Sequence, residues 1–120
     1  MGPRPRILSA TAIVGDKVVS TSDEDLGKIE ELMIDLDRGS IAYAVLSFGG
    51  FLGIGDKLFA VPWSAFRLEL EKGHFILDVD RAVLEKAPGF DKDNWPDMAD
   101  RNWAAKLHRH YGSRPYWDNV

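Results

Sequence analysis

Alternating apolar and polar positions are the clearest pattern along this chain, and they predict strands. In the segment 66–71, "FRLELE", every second residue is apolar, which is the spacing of a strand with one buried face. A Lys-Gly turn at 72–73 leads into "HFILDV" (74–79), where the alternation resumes, so the two segments predict a hairpin. The segment "DKVVS" (16–20) predicts a further short strand.

In the segment 28–36, "KIEELMIDL", the alternation of apolar and polar residues shifts by one position near its middle. Its apolar residues are Ile29 on one parity and Leu32, Ile34 and Leu36 on the other. One extra residue near Glu30 and Glu31 brings both sets to the same buried face, so we predict a β-bulge there. The segment 26–36 also has helical spacing, but the turn signature Asp-Arg-Gly at 37–39 favours the strand.

The next run, "IAYAVLSF" (41–48), is apolar or small on both faces, which is typical of a strand covered on both sides. A glycine-rich connector (49–55) follows and leads into another strand, so we interpret it as a strand-to-strand connection and not as a phosphate-binding loop. Large apolar side chains in this connector indicate burial against the chain's own C-terminal tail or against another subunit. The interaction-surface candidates are Tyr43, Val45, Phe48, Phe51, Leu52, Ile54 and Trp63.

Five or six short strands at this spacing predict a mainly β fold, a small antiparallel β-barrel. We expect a flexible N-terminal arm (1–6), the barrel (7–79) and a C-terminal extension (80–120) packed on the barrel or on a partner subunit. In the extension, capping residues predict a short helix that begins after Asp80 and a second helix between Asp100 and the glycine at 112. It contains three of the four tryptophans, so it must bury aromatic surface.

Composition is that of an ordinary globular chain of 120 residues, with 45% apolar and 28% charged residues. The net charge of −4 disfavours a general attraction to nucleic-acid backbones. The absence of cysteine excludes disulfides, thiolate zinc sites and cysteine nucleophiles. No signal-peptide pattern is present and the longest unbroken apolar run is 41–46, so we expect a cytoplasmic protein without membrane insertion.

No set of polar residues has the spacing of a catalytic, cofactor or metal site, so we expect neither an enzyme nor a bound cofactor. His108 and His110 point to different sides of the second predicted helix and have no third ligand. Asp35 and Asp37 are interpreted as part of a solvated strand face, and no serine lies in a nucleophile elbow. The basic, aromatic end of the chain is the candidate RNA surface. Its residues are Lys106, Arg109, Arg114 and Tyr116.

Residues 25–66, "DLGKIEELMIDLDRGSIAYAVLSFGGFLGIGDKLFAVPWSAF", resemble the PRC-barrel family. The resemblance is carried by "GKIEELMID" (27–35), the apolar strand after it and "FAVPW" (59–63), which occur in this order. It extends to about residue 79, and residues 87–112 are similar to the extension of stand-alone bacterial members.

The resemblance implies a barrel like those of the photosynthetic reaction centre H subunit and of a ribosome maturation factor, where it is an adaptor without catalytic residues. Our leading hypothesis is therefore a non-enzymatic protein-interaction barrel, a homodimer that also binds an unidentified protein. One alternative is an RNA- or ribosome-assembly accessory protein. Another is an accessory factor for a photosynthetic or electron-transfer complex.

Overall fold

A computed structural model of the chain describes residues 7–49, 56–69 and 72–118. The expected N-terminal arm (1–6) lies outside these ranges. The elements are, in chain order, α1 (Ala10–Ile13), β1 (Lys17–Ser20), β2 (Asp25–Asp35), β3 (Ser40–Gly49), β4 (Asp56–Pro62), a 3-10 turn (Trp63–Ala65), β5 (Phe66–Glu69), β6 (His74–Leu77), α2 (Arg81–Glu85), α3 (Arg101–His110) and a second 3-10 turn (Tyr116–Asp118).

The six strands form one curled sheet in the order β4-β3-β2-β1-β6-β5, which confirms the mainly β, barrel-like architecture. Neighbouring strands are antiparallel except β1 and β6, which run parallel. The expectation of an entirely antiparallel barrel is wrong at this one pair. The reason lies in the 3-10 turn after β4, which carries the chain into β5 without the reversal that a hairpin would produce.

Strand β2 is irregular where the sequence changes parity. Its register against β3 shifts between Ile29 and Glu31, which confirms the predicted bulge. A second shift follows between Met33 and Ile34. Beyond it, Ile34 is 52% exposed and Leu36 is 89% exposed. The prediction that these two residues share the buried face of Ile29 is therefore wrong: both lie at the turn end of β2, where the described segments leave their side chains open to solvent.

Helix α3 begins and ends at the predicted residues. The Asp100 side chain accepts hydrogen bonds from two backbone N–H groups of the first turn, including that of Trp103, which is the role of an N-cap. At the other end Gly112 has a φ of 67°, and the Ser113 N–H donates to the carbonyl of His108 at 2.8 Å. This is a Schellman ending, for which glycine is the favoured residue.

The sheet and the helices share one hydrophobic core. Buried apolar residues of the sheet and of all three helices form one cluster. Strands β2 and β3 approach each other closely at Gly27, whose φ is 90° and where a Cβ atom would overlap the backbone carbonyl oxygen of Ser47. Glycine is therefore required at this position by both backbone conformation and space.

Candidate interaction site

The turn between β2 and β3 is organised by one carboxylate. Oδ1 of Asp35 accepts hydrogen bonds from the backbone N–H groups of Asp37 (3.0 Å) and Arg38 (3.1 Å), as aspartate commonly does at the start of a tight turn. Gly39 completes the turn with a φ of 67°. The second carboxylate oxygen, Oδ2, is thereby left to bind a residue from elsewhere in the chain.

The C-terminal end of the described chain binds this turn. The Tyr116 hydroxyl donates to Oδ2 of Asp35 at 2.6 Å, and the Arg38 guanidinium donates to the Trp117 carbonyl oxygen at 3.0 Å. The hydrogen bond from Tyr116 is the main cause that lowers the pKa of Asp35. The Arg101 guanidinium lies over the Trp117 ring, with Cζ 4.1 Å from the ring centroid. We call these five residues the tail clasp.

His108 lies next to the tail clasp on the buried side of α3 and is 1% exposed. Its Nδ1 is 2.7 Å from the carbonyl oxygen of Ala104, and its Nε2 is 3.2 Å from the backbone nitrogen of Tyr116. The partners assign a neutral imidazole that donates at Nδ1 and accepts at Nε2. Burial lowers the pKa of His108. Both ring nitrogens therefore serve the structure and are not available to a metal ion.

Tyr43 of β3 connects the sheet to the extension. Its ring centroid lies 5.5 to 5.7 Å from those of three rings of the extension, Trp103, His108 and Tyr116. At this residue the outer side of β3 is therefore covered by the chain's own tail. The Tyr43 hydroxyl is buried and has no hydrogen-bond partner in the part of the chain that the structure describes, and desolvation raises its pKa well above the usual range.

An open pocket of about 320 Å³ lies between the end of β2 and the start of α3. Its wall combines apolar side chains with Asp35, Arg101 and Tyr116 of the tail clasp. The exposed side chains of Ile34 and Leu36 stand at its rim. We call this concave surface, with its two apolar rim residues, the hairpin pocket. An apolar surface bordered by polar groups is typical of a protein contact site.

The structure divides the predicted interaction surface into buried and accessible parts. Tyr43 and Val45 are 1% and 0% exposed, so they belong to the interior and present no surface to a partner. Trp63 and Phe48 are half-buried, and the Arg81 guanidinium lies 5.1 Å from the centroid of the Phe48 ring. The remaining candidates, Phe51, Leu52 and Ile54, lie outside the described residues.

The candidate RNA residues are likewise divided. Lys106, Arg109 and Arg114 are exposed, and none of them pairs with a carboxylate within the ranges that the structure describes. Tyr116 is half-buried and bound to Asp35, so its hydroxyl is already engaged within the chain.

The hairpin pocket was not among the sequence-predicted sites. Ile34 and Leu36 were assigned to the core because a single bulge places them there. The structure leaves both side chains exposed at the turn end of β2, and no residue type in "LMIDL" (32–36) signals this exposure. The nearest signal was the pair of aspartates at 35 and 37, which bracket an apolar residue just before a turn.

The described residues contain neither a group of potential metal ligands nor a helix that could span a membrane. In these ranges no group of three or more His, Cys, Asp or Glu residues could hold a metal ion. Among the same residues, none of the helices has the length and apolar character needed to cross a bilayer.

Comparison with known proteins adds a family and a partial structural likeness. The family model of the PRC-barrel domain matches residues 5–84. Among solved structures, the chain is similar to one described as a 16S ribosomal RNA processing protein, RimM, from Pseudomonas aeruginosa, with 21% identity and a TM-score of 0.43. The match covers 67% of this chain and 49% of that one, so the chain spans about half the length of that protein. No curated protein matches the chain.

Proposed function

The chain belongs to the PRC-barrel domain family, and from this premise we propose that it is a non-catalytic interaction module that docks on another protein through the hairpin pocket. The observation that carries the proposal is the exposure of two large apolar side chains, Ile34 (52%) and Leu36 (89%), at the rim of an open pocket. Solvent contact of such side chains is unfavourable, and a partner that covers them removes it.

The magnitude is large enough to anchor a complex. Full burial of an exposed Leu or Ile side chain is worth about 1.5–3 kcal/mol. Scaled by the exposed fractions of Ile34 and Leu36, covering both side chains supplies roughly 2–4 kcal/mol. The rest of the affinity comes from the pocket wall and from packing around these anchors, as in most interfaces with a few dominant residues.

The polar groups of the pocket favour one kind of partner segment. Asp35 already accepts hydrogen bonds at both oxygens, whereas Arg101 has no carboxylate partner among the described residues. A segment that places an apolar side chain against Leu36 and a carboxylate or carbonyl oxygen near Arg101 matches this arrangement.

Affinity purification from the native host tests the proposal. The bait is the full chain, compared with an Ile34→Ser/Leu36→Ser variant and with Val14→Ser, a matched control at an apolar residue that is 37% exposed on another part of the surface. We expect a protein that the wild type and the control recover, with at least about tenfold less in the double variant. Equal recovery by the wild type and the double variant would refute docking at the hairpin pocket, as would recovery of no protein by any of them.

A second candidate function is RNA binding through the extension, the ribosome-assembly alternative. The observation in its favour is that Lys106, Arg109 and Arg114 are exposed and lack carboxylate partners within the described ranges. Binding of a labelled RNA at low salt should fall with rising salt and be lost in a variant with all three residues changed to Gln. No binding at low salt would exclude this function. A role in a photosynthetic or electron-transfer complex has no supporting observation and stays a prediction.

A further inference from the structure

The two edges of the sheet differ in how their backbone groups are satisfied. At the β4 edge, Leu58 and Phe90 exchange two backbone hydrogen bonds of 3.0 and 2.8 Å, so a segment of the extension covers that strand. At the other edge, β5 pairs with β6 on one side, and none of the described segments pairs with its other side. An uncovered edge strand is a template for a further strand.

The bonds within the β5–β6 hairpin show which backbone groups face outward. The Asp78 N–H donates to the carbonyl of Ala65 at 3.0 Å, and the Gly73 N–H donates to the carbonyl of Glu69 at 2.9 Å. Along an antiparallel strand, every second residue bonds its N–H and carbonyl groups to the same neighbouring strand. Because Ala65 bonds to the β6 side, the backbone groups of the odd-numbered residues of β5 point toward β6. The N–H and carbonyl of Leu68 therefore point away from β6, near the middle of the edge.

The charges of β5 favour one register for pairing with a second copy. Arg67 and Glu69 lie on one face of the strand, opposite Ile76 and His74 of β6. In an antiparallel pair with Leu68 opposite Leu68, each Arg67 faces a Glu69 of the other copy. A shift of two residues places Arg67 opposite Arg67 or Glu69 opposite Glu69, which is destabilising. A shift of one residue moves the charged side chains to the apolar face.

The other face of β5 adds apolar surface to the same edge. A groove of about 450 Å³ runs beside Phe66 and Leu68, and apolar side chains alone line it. Ile7, which also lines the groove, is 92% exposed. Pairing of two β5 strands sets their Leu68 side chains next to each other, so the two grooves join into one apolar surface across the extended sheet.

We propose that the chain forms a two-fold symmetric dimer in which β5 pairs antiparallel with β5 of a second copy, with Leu68 on the symmetry axis. The contact is isologous, because each copy presents the same strand and the same Arg67 and Glu69 pair. The inference goes beyond docking at the hairpin pocket, and the two surfaces share no residue. It also moves self-association from the segment 41–54, where the sequence placed it, to the β5 edge.

Charge reversal combined with analytical ultracentrifugation tests the dimer. In Arg67→Glu the substituted residue faces Glu69 of the other copy at two symmetric places, so the dissociation constant should rise by about tenfold or more. Glu69→Arg should have the same effect. The double variant R67E/E69R restores opposite charges in the same register and should dimerise like the wild type. Lys92→Glu, at an exposed loop residue, is the matched control and should not change the dissociation constant.

Three results would overturn the proposal. They are a wild type that stays monomeric at all concentrations, single variants that dimerise as the wild type does, and a double variant that stays monomeric although its circular dichroism is native. Because the hairpin pocket is unchanged in these variants, recovery of a partner in the purification experiment is unaffected. Failure of the dimer and failure of docking are therefore distinguishable.

Discussion

The folded chain should lose stability through His108 as the pH falls from 7.5 to 5.5. Burial lowers the pKa of His108 from its ordinary value of 6.5, and in the unfolded chain it titrates near that ordinary value. The unfolded state therefore binds more protons than the folded state in this range, so the free energy of unfolding rises with pH. The stability that neutral His108 contributes is nearly complete above the pKa that His108 has in the unfolded chain, and it is lost progressively as the pH falls below that value.

The substitution His108→Phe isolates this effect. Phe keeps a ring against Tyr43 and Trp117, whose centroids lie 5.5 and 5.6 Å from that of His108, and it does not titrate. At pH 7.5 the variant should be less stable by about 1–3 kcal/mol, because the Tyr116 N–H loses its acceptor. Between pH 7.5 and 5.5, protonation of the unfolded state at this residue destabilises only the wild type, by at most about 1.4 kcal/mol, the limit for a folded His108 that takes up no proton.

Urea denaturation at a series of pH values measures the difference in stability between the two proteins. We expect this difference in the free energy of unfolding to become smaller from pH 7.5 to 5.5, by at most about 1.4 kcal/mol. Lys106→Gln, at an exposed residue of the same helix, is the control and should run parallel to the wild type. A difference that stays constant with pH, or an NMR titration of His108 with a pKa at or above 6.5, would refute the reasoning.

Three further predictions concern stability. Gly27→Ala should lower the melting temperature more than Gly15→Ala, because both have positive φ but only the first would overlap backbone atoms; equal losses would contradict the close approach of β2 and β3. Tyr111→Phe should raise the free energy of unfolding by up to about 1 kcal/mol in urea titrations, since its buried hydroxyl has no partner within the described ranges, and a loss of stability would show that the hydroxyl is bonded. Asp100→Ala should cost about 0.5–2 kcal/mol, whereas Asp80→Ala, which removes no capping hydrogen bond, should cost less in the same assay.

The features of the fold that could be predicted depend on signals within a few residues. The alternation in 66–69 and 74–77, the parity change at Glu30 and Glu31, and the caps of α3 are all local, and the structure contains each of them. Helix α1 was not predicted, because it is a single turn of four residues and offers no periodicity to detect.

The features that could not be predicted depend on contacts between distant segments. The parallel pairing of β1 with β6 joins the first and last strands, and no property of either strand specifies the direction of the other. The hydrogen bond between Tyr116 and Asp35 spans 81 residues. The sequence places Asp35 on a solvated strand face, and nothing in it signals that one oxygen of this carboxylate organises the turn and the other binds a tyrosine.

The tail clasp makes the extension part of the hairpin pocket, since Asp35, Arg101 and Tyr116 belong to both. A partner that binds only the assembled pocket must therefore also stabilise the clasp, because ligand binding and the folded arrangement are linked. Tyr116→Phe removes the hydroxyl that binds Asp35 and should weaken partner binding in a pull-down although both rim residues are intact. Tyr111→Phe removes a hydroxyl that has no hydrogen-bond partner among the described residues; this variant is the matched control and should bind as the wild type does. If Tyr116→Phe binds normally while Ile34→Ser/Leu36→Ser does not, the partner contacts the rim alone and the extension is not part of the docking site.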